Sequence, residues 1–302
     1  MRYYSLNEYC RQTFGEKLYK LALDGGMTCP NRDGTLDTRG CIFCSGGGSG
    51  DFAQAPAASV AEQIALARSR IAGKTSARRF IAYFQSFTNT YAPLPRLEQL
   101  FSDAIACPEV AVLAIATRPD CLPPPVVELL ARLNQIMPVW VELGLQTVCE
   151  STARYIRRGY PLPVFDDAVA RLHAAGIQTV THVILGLPGE SLEHAAATVR
   201  HVAAQGCFGI KLQLLHVLKG TDLAADYAAG RFSVLSKDAY IRWVLHLIRL
   251  LPPQTVIHRL TGDGPKSLLI APMWSANKKD VLNSLSREME RQNVFQGQLF
   301  RP

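Results

Sequence analysis

The sequence predicts an α/β fold, a partial (β/α)6 TIM-like barrel with a short N-terminal extension and a C-terminal helical addition. Six apolar segments rich in β-branched residues alternate with amphipathic segments, which is typical of βαβ units and a parallel sheet. The apolar segments are nearly continuous, as in strands that are covered on both faces or closed into a barrel. No repeat, low-complexity tract or long linker interrupts the 302 residues, which favours one domain.

Strands are predicted where short apolar runs occur, and helices where apolar residues recur with helical spacing. The predicted strands are residues 17–23, 79–86, 110–117, 139–146, 179–187 and 209–218. The predicted helices between them are residues 59–73, 94–106, 124–136, 165–176 and 191–206, and the last two end in glycine, as many helices do.

The segments outside this alternation are predicted to be additions to the barrel. Residues 1–16 form an N-terminal extension, residues 17–252 the partial barrel and residues 253–302 a C-terminal extension. The remaining predicted elements are a long amphipathic helix at 235–252, short extra strands at 255–260 and 267–272, and a final helix near 277–292.

The composition is that of a globular protein without a membrane span. It is 48% hydrophobic and 19% charged, with a mean hydropathy of +0.06. No apolar run reaches the roughly 18 residues of a membrane helix, and the first residues lack a signal-peptide core, so the cytoplasm is the expected compartment. The net charge of +7 favours acidic partners, nucleic acid above all, although a solvated basic surface would have the same composition.

Polar or glycine-rich groups follow each of the six predicted strands. Because the carboxyl ends of parallel strands meet on one face, and active sites form there, we expect an active site at this face. The groups are the cysteines at 29, 41 and 44, then QSFTNT (85–90), TRPD (117–120), Glu142 with Gln146, GLPGE (186–190) and HVLKGT (216–221).

The cysteine spacing indicates an iron–sulfur site with an open position. Eight cysteines are too few for a disulfide scaffold, and clustered cysteines in a reducing compartment indicate metal binding or catalysis. Cys29, Cys41 and Cys44 have the spacing C-x11-C-x2-C. Three thiolates hold three irons of a [4Fe–4S] cluster and leave the fourth iron for a small chelating ligand.

This motif and its flanks resemble a known superfamily. C-x11-C-x2-C after the first strand of an α/β barrel is similar to the motif of radical S-adenosylmethionine (radical SAM) enzymes, whose usual spacing is C-x3-C-x2-C. The longer first gap resembles the branch near the elongator catalytic subunit. LDGG-x2-CPNRDG-x5-GC-x-FCS-x3-SGDF (23–52) resembles the subfamily named for YhcC and YtqA. The resemblance implies an enzyme that cleaves S-adenosylmethionine (SAM) at a [4Fe–4S] cluster to a 5′-deoxyadenosyl radical, which abstracts a substrate hydrogen.

The resemblance also implies roles for single residues. The three cysteines would hold the cluster, and Phe43 would lie beside adenine. The second-strand motif of the family has two glycines and an acid, whereas this chain has Gln85, Ser86 and Thr88, whose oxygens can accept hydrogen bonds from the SAM ammonium group. The other implied SAM contacts are Arg118 with the carboxylate, Glu142 and Gln146 with the ribose, and Ile184, Gly186, Gly189, Leu215 and Val217 with adenine. The candidate catalytic residues are Glu142, which is costly to bury unpaired, Lys211 and His216.

Simpler interpretations of some of these residues stay open. Arg118 before Pro119 also fits a strand-end salt bridge, and GLPGE also fits a turn that begins a helix. Lys211 has a role only if it points into the barrel, and His216 also fits a packed histidine.

The resemblance to the elongator-like branch points to tRNA as the substrate. The specific expectation is conversion of a carboxymethylaminomethyl group on the wobble uridine toward aminomethyl, by hydrogen abstraction and C–N cleavage, with the base splayed into the barrel mouth. Flavodoxin or ferredoxin is the expected electron donor. The candidate RNA contacts are Arg157, Arg158, Tyr160, Arg259, Lys266, Lys278 and Lys279.

Two alternatives remain at this point. The first is a radical SAM enzyme with a small-molecule or protein substrate. The second is a non-enzymatic RNA-binding module in which Cys29, Cys41, Cys44 and a fourth ligand such as Cys10 hold tetrahedral zinc.

Overall fold

The computed structural model describes residues 2–48, 59–75, 77–262 and 264–301; residues 49–52, the SGDF end of the cysteine motif, lie outside them. Its centre is a sheet of parallel strands curled into a half-barrel, in the order β1-β2-β3-β4-β5-β6-β8. These strands are β1 (Tyr19–Leu23), β2 (Phe80–Phe84), β3 (Val110–Thr117), β4 (Val139–Gln146), β5 (Gln178–Leu185), β6 (Gly209–Leu214) and β8 (Val256–Arg259). Two short strands, β7 (Val217–Leu218) and β9 (Leu269–Ala271), form an antiparallel pair. The predicted partial TIM-like barrel is confirmed.

Helices connect the strands and cover the outer face of the sheet. Several begin with the expected signals: Ser59 forms a capping box with Glu62, and prolines occupy the first turns of three others. Within the described residues the helices are α1 (Leu6–Phe14), α2 (Val60–Ile71), α3 (Leu94–Ile105), α4 (Pro124–Asn134), α5 (Glu150–Tyr155), α6 (Leu162–Ala174), α7 (Leu192–Ala204), α8 (Asp222–Ala228), α9 (Lys237–Leu250) and α10 (Lys278–Arg291).

Alternation along the strands separates the two faces of the sheet. In β2, Phe80 and Phe84 belong to the large core beneath the helices, whereas Ile81 and Tyr83 belong to a smaller cluster inside the half-barrel. The same alternation in β4 sends Glu142 to the inside, between outward-facing apolar residues. The inner face therefore carries the charged side chain of Glu142 beside apolar residues.

Helix α1 fills the N-terminal end of the half-barrel. Its Tyr9 ring meets Phe208 with centroids 4.9 Å apart and Trp140 with centroids 5.9 Å apart, and Cys10 is fully buried in the same cluster. The backbone N–H of Ile257 in β8 donates to the carbonyl of Tyr4 at 2.8 Å. The predicted N-terminal extension thus packs as part of the barrel.

Three features differ from the simplest reading of the sequence pattern. Residues 255–260, expected as a short extra strand, contain β8, which joins the main sheet beside β6 and adds a seventh strand. The predicted strand 209–218 is divided at Leu215 and His216, where the chain leaves β5 and pairs with β9. Helices α5 and α8 have six and seven residues, too short to show a helical period. None of the helices in the described ranges combines the length and apolarity needed to cross a membrane.

Candidate active site

The C-terminal ends of the strands surround a cavity of about 430 Å³. The sulfur-bearing side chains of Cys29, Cys41 and Cys44 line one side of it, and Glu142 and Lys211 line it from the strands. A second groove, of about 590 Å³, lies between α10 and the N-terminal segment, and among the described residues that line it the charged ones are Arg2 and Glu290. The chemistry-bearing residues therefore converge on the face that the sequence predicts.

Asn31 connects the cysteine loop, residues 29–44, to the turn after α5. Its Nδ2 donates to Sγ of Cys41 at 3.6 Å and to the carbonyl of Arg157 at 2.7 Å. Gly159 lies against Asn31 with a φ of 85°, and a Cβ at this position would be 2.6 Å from Asn31 Oδ1. Glycine is needed here both for the left-handed backbone and for the missing side chain.

Arg32 holds the other side of the cysteine loop. Its Nη2 donates to the carbonyls of Cys44 at 3.2 Å and Ser45 at 2.6 Å. Its guanidinium lies over the ring of Phe87, 5.4 Å from the centroid. The loop is thereby fixed to the turn after β2, and the backbone around Cys44 is set by side-chain hydrogen bonds.

Hydrogen bonds and positive charges near the cysteines favour a thiolate. The pKa of Cys41 is lowered to about 7, chiefly by a hydrogen bond from Cys44. The charges of Arg118 and Arg32 and a hydrogen bond from Asn31 lower it further, and together these effects outweigh burial. The contact with Cys41 and burial raise the pKa of the Cys44 thiol well above its ordinary value. The loop thus supplies an electropositive surrounding for sulfur ligands.

The donor set fits an iron–sulfur cluster. Across the described ranges, no three His, Cys, Asp or Glu side chains converge to hold one metal ion. A [4Fe–4S] cluster instead binds each thiolate through a different iron, so its cysteines need not meet at one point. Thr88 lines the same cavity, and its buried hydroxyl has no hydrogen-bond partner in the structure. A polar ligand such as SAM would satisfy it.

Three non-glycine residues at the strand ends around the cavity have left-handed backbone conformations. Ser86 (φ 86°) and Phe87 (φ 55°) follow β2, and Gln146 (φ 67°) ends β4. Asn89 stabilises the turn after β2 by donating from Nδ2 to the carbonyls of Ser86 at 3.0 Å and Ala116 at 2.9 Å. Non-glycine residues seldom adopt this conformation, and such strain is concentrated at functional sites.

Arg118 is fixed by an ion pair at the end of β3. Its Nε and Nη2 donate to the two carboxylate oxygens of Asp120 at 2.9 and 2.7 Å, and its Nη1 donates to the carbonyl of Arg158 at 3.0 Å. The strand-end salt bridge is thus confirmed. Its contact with the SAM carboxylate stays a prediction, for which the guanidinium still has N–H groups.

Glu142 is the centre of a polar cluster inside the half-barrel. The residue is 1% exposed. Its carboxylate accepts hydrogen bonds from Lys20 of β1 and Lys211 of β6, and lies 2.8 Å from Nε2 of His182 of β5. Nζ of Lys211 also donates to the hydroxyl of Tyr83 of β2 at 3.1 Å. Five strands contribute to this cluster, and Lys211 points inward, as a functional role requires.

The charges in this cluster are set by burial and by each other. Burial alone would raise the pKa of Glu142, but Lys20, Lys211 and His182 hold it well below its ordinary value. Burial lowers the pKa of Lys211 well below its ordinary value, although Glu142 opposes the shift. Burial and Lys211 lower the pKa of His182 to about 4. At neutral pH, Glu142 is therefore ionised and His182 is neutral, with Nε2 as its donor.

Most of the predicted site residues line the cavity, and four do not. Both oxygens of Glu142 contact basic side chains, so its contact with the ribose stays a prediction without support from this geometry. The lining residues are Cys29, Cys41, Cys44, Phe43, Gln85, Thr88, Arg118, Glu142, Gln146, Ile184, Lys211, Leu215 and His216. Those outside the lining are Ser86, Gly186, Gly189 and Val217, whose SAM contacts likewise stay predictions.

Sequence reasoning missed Lys20, His182 and Tyr83. Lys20 and His182 could have been found, because each is a polar residue within an apolar strand, the same pattern that indicated Glu142. Tyr83 could not be recognised in this way, because tyrosine is common in strands.

Two of the predicted RNA contacts, Arg158 and Tyr160, line the cavity but are buried and bonded within the protein, so these contacts stay predictions without support from this geometry. Arg158 is 2% exposed and donates to the carbonyls of Leu145 at 3.2 Å and Thr147 at 2.6 Å. Tyr160 is buried, donates its hydroxyl to the carbonyl of Gly144, and has the Arg118 and Arg158 guanidiniums over its ring at 5.0 and 4.9 Å. Of the remaining candidates, Lys266, Lys278 and Lys279 are exposed, Arg157 pairs with Asp222 at 2.7 Å, and Arg259 lines the cavity.

Comparison with known proteins gives matches over nearly the whole chain. Residues 38–202 match the Radical SAM superfamily, and residues 207–291 match the Radical_SAM C-terminal domain. The chain is 44% identical to YtqA of Bacillus subtilis (strain 168) over 299 residues, 99% of this chain and 93% of that protein. It is 35% identical to YhcC of Escherichia coli (strain K12) over 290 residues, 96% and 93% of the two chains. It is 26% identical to Elongator complex protein 3 of Schizosaccharomyces pombe over 181 residues, 59% and 32% of the two chains.

Solved structures share the fold at low sequence identity. The Elp3 of Methanocaldococcus infernus, with an N-terminal deletion, superposes with a TM-score of 0.69 at 15% identity, over 92% of this chain and 64% of that one. This chain thus spans somewhat less than two thirds of the archaeal Elp3. Methylornithine synthase (PylB) superposes with a TM-score of 0.53 at 14% identity, over 96% and 87% of the two chains. The cysteine-lined cavity, the half-barrel and these matches together identify the chain as a member of the radical SAM superfamily, an enzyme whose cofactors are a [4Fe–4S] cluster and SAM.

Proposed function

We propose that this enzyme acts on the wobble uridine of tRNA and converts its carboxymethylaminomethyl side chain to aminomethyl. The observation that carries this proposal is one cavity that joins the three cysteines to a buried cluster of basic side chains. The similarity to Elongator complex protein 3 and the net charge of +7 support an RNA substrate. A tRNA substrate would place the reaction in the cytoplasm.

The cysteine loop would hold the cluster through Cys29, Cys41 and Cys44. When bound, the cluster and SAM would supply a 5′-deoxyadenosyl radical, with one electron from a flavodoxin- or ferredoxin-type donor and release of methionine, and this radical would take one hydrogen atom from the substrate carbon beside the carboxylate. The substrate radical would then return one electron to such a carrier and release its N–H proton, which leaves a C=N bond. Water cleaves the resulting C=N bond, which releases glyoxylate and leaves the aminomethyl group on uridine.

The other cavity residues would bind SAM and exclude water. Phe43, Ile184 and Leu215 supply an apolar wall that suits adenine. The unpartnered hydroxyl of Thr88 and the side chain of Gln85 supply polar atoms beside it. A dry cavity protects a radical from side reactions.

The cavity mouth would receive the uridine base after it leaves the anticodon-loop stack. Gly264 and Pro265 line the cavity, and the exposed Lys266 follows them directly. A lysine in this place suits a phosphate of the loop, and such a contact weakens as salt rises. Lys278 and Lys279 are exposed at the start of α10 and suit further phosphates.

The test combines spectroscopy with analysis of cellular tRNA. Electron paramagnetic resonance of the anaerobically reconstituted, reduced protein should show a [4Fe–4S]⁺ signal that changes when SAM is added. Deletion of the gene should raise carboxymethylaminomethyluridine and lower aminomethyluridine derivatives in tRNA, and the wild-type gene should reverse this.

Cysteine variants separate a specific loss from a general one. Cys44→Ala should fail to restore the nucleosides, whereas Cys107→Ala, which removes a partly exposed thiol outside the cavity, should restore them. An unchanged nucleoside profile in the deletion strain would refute the tRNA substrate. A cluster signal with SAM response would then leave a radical SAM enzyme for another substrate.

A further inference from the structure

The half-barrel contains more positive than negative groups around Glu142. Across the described ranges, Glu142 is the one carboxylate within 4.0 Å of Lys20 or Lys211, and both lysines contact it. His182, its third partner, is neutral at neutral pH because burial lowers its pKa to about 4. Two lysines thus share a single carboxylate in a buried place, where charges are costly to leave uncompensated.

The two lysines are brought together by strand geometry. Lys211 of β6 is the register partner of His182 on β5 and of Arg259 on β8, and side chains of such neighbours point to the same side of a sheet. Lys20 reaches the same place from β1. Their Nζ atoms lie 4.3 Å (Lys20) and 4.7 Å (Lys211) from the centroid of the Tyr83 ring. This shared contact fixes both ammonium groups beside one aromatic ring.

One of the lysines is open to the cavity. The side chain of Lys20 is 21% exposed, whereas those of Lys211 and Glu142 are 4% and 0% exposed, and all three residues line the cavity. The ammonium group of Lys20 has three N–H groups, and Glu142 does not accept from all of them. Lys20 can therefore also donate to a ligand.

We propose that Lys20 and Lys211 form a carboxylate-binding subsite that holds the carboxymethyl end of the substrate inside the half-barrel. This inference rests on the proposed function and names the part of the substrate that enters deepest. The carboxylate supplies the second negative charge for the two ammonium groups, and Glu142 positions both lysines. Burial and the neighbouring cations lower the pKa of Lys211, and an added carboxylate would favour its charged form.

Two carboxylates are candidates for this subsite, that of the substrate and that of SAM. The lysines occupy early positions in their strands, the second residue of β1 and the third of β6, whereas the cysteines follow the C-terminal end of β1. A SAM bound to a cluster on these cysteines lies at the C-terminal ends of the strands. The deeper position fits the substrate.

The test compares two nucleosides of nearly the same shape, one with a carboxylate and one with a neutral amide. Carboxymethylaminomethyluridine and its primary amide, in which NH₂ replaces O⁻, are titrated into the anaerobic holoenzyme with SAM, and binding is followed by ligand-observed NMR. The wild-type enzyme should bind the carboxylate about 10- to 100-fold more tightly than the amide. Lys20→Met should reduce this ratio to about 3 or less, and Lys20→Arg should retain most of it.

Lys17→Met is the matched control. Lys17 stands before the same strand, outside the cavity, and its Nζ donates to the Tyr19 hydroxyl at 2.9 Å, so this change should leave the ratio as in the wild type. Thermal unfolding checks that each variant folds. Lys20→Met keeps Lys211 as a partner for Glu142 and is therefore the milder of the two lysine substitutions.

The outcomes separate this inference from the proposed function. Equal binding of the two nucleosides by the wild type, or a ratio that Lys20→Met leaves unchanged, would overturn the subsite. A SAM affinity that falls in Lys20→Met by the same factor as the nucleoside affinity would assign the subsite to SAM and also overturn the proposal. Conversion of a modified anticodon stem-loop is measured separately. Its absence, together with a charge preference that depends on Lys20, would refute the tRNA reaction and retain the carboxylate subsite.

Discussion

Replacement of Glu142 by glutamine should reduce the stability of the folded chain strongly. The substitution keeps the shape of the side chain but removes the negative charge that Lys20 and Lys211 share at a site with 1% exposure. Breaking a buried ion pair from one side costs about 3–5 kcal/mol, because the remaining charges lose their partner. For a chain of 302 residues that corresponds to a fall in Tm of roughly 5–8 °C.

The assay is thermal and urea unfolding of the wild type and of matched variants at pH 7. Glu98→Gln is the control, because Glu98 pairs with Arg132 at 2.9 Å on the surface, where both side chains are more than half exposed and such a pair contributes only about 0–1 kcal/mol. Adding Lys211→Met to Glu142→Gln should recover part of the loss, since it removes one of the uncompensated charges. The electrostatic reasoning is refuted if Glu142→Gln and Glu98→Gln lower Tm equally. It is also refuted if Lys211→Met destabilises the Glu142→Gln variant as much as it destabilises the wild type.

Two further predictions concern His182 and Gly159. The folded pKa of His182, about 4, is lower than its ordinary value of 6.5, so the unfolded chain binds more protons in this window and stability falls as the pH drops through it. Between pH 7 and pH 4, the free energy of unfolding of His182→Asn should therefore fall by about 2–3 kcal/mol less than that of the wild type, as measured by urea unfolding. The same pH dependence in both proteins would contradict the low pKa of His182. Gly159→Ala should place a Cβ 2.6 Å from Asn31 Oδ1 at a φ of 85°, cost about 1–3 kcal/mol and lower the iron bound per chain. Gly46→Ala, where a Cβ meets no atom within 4 Å, is its control, and equal iron contents in the two variants would disprove the role of Gly159.

Local patterns in the sequence were sufficient for the strands, the long helices and the cysteine motif. Each of these depends on residues close together in the chain: apolar runs for β3 and β4, helical spacing for α9, and C-x11-C-x2-C for the loop after β1. Glu142 was also recognisable, because an acid within an apolar strand must be paired or lie in a site.

The partners of Glu142 were not predictable, because they depend on strand register. Lys20 and Lys211 are separated by 191 residues and meet only because the sheet curls and aligns β1 and β6 around the same interior. For Arg158, the local sequence was misleading about burial. In the sequence it belongs to a short basic cluster that resembles a surface patch, but its guanidinium is buried and donates to the carbonyls of Leu145, near the end of β4, and Thr147. Local sequence does not show which of two adjacent arginines turns inward.

The aromatic contacts between α1 and the strands have a consequence for the order of events in each turnover. Tyr9, Trp140 and Phe208 fill the N-terminal end with side chains, and the cavity lies at the C-terminal ends of the strands. Where two ligands are held there at different depths, a deep ligand that arrives second has to pass the outer one. We therefore expect ordered binding with the deeper ligand first, and product-inhibition patterns are the measurement that checks it.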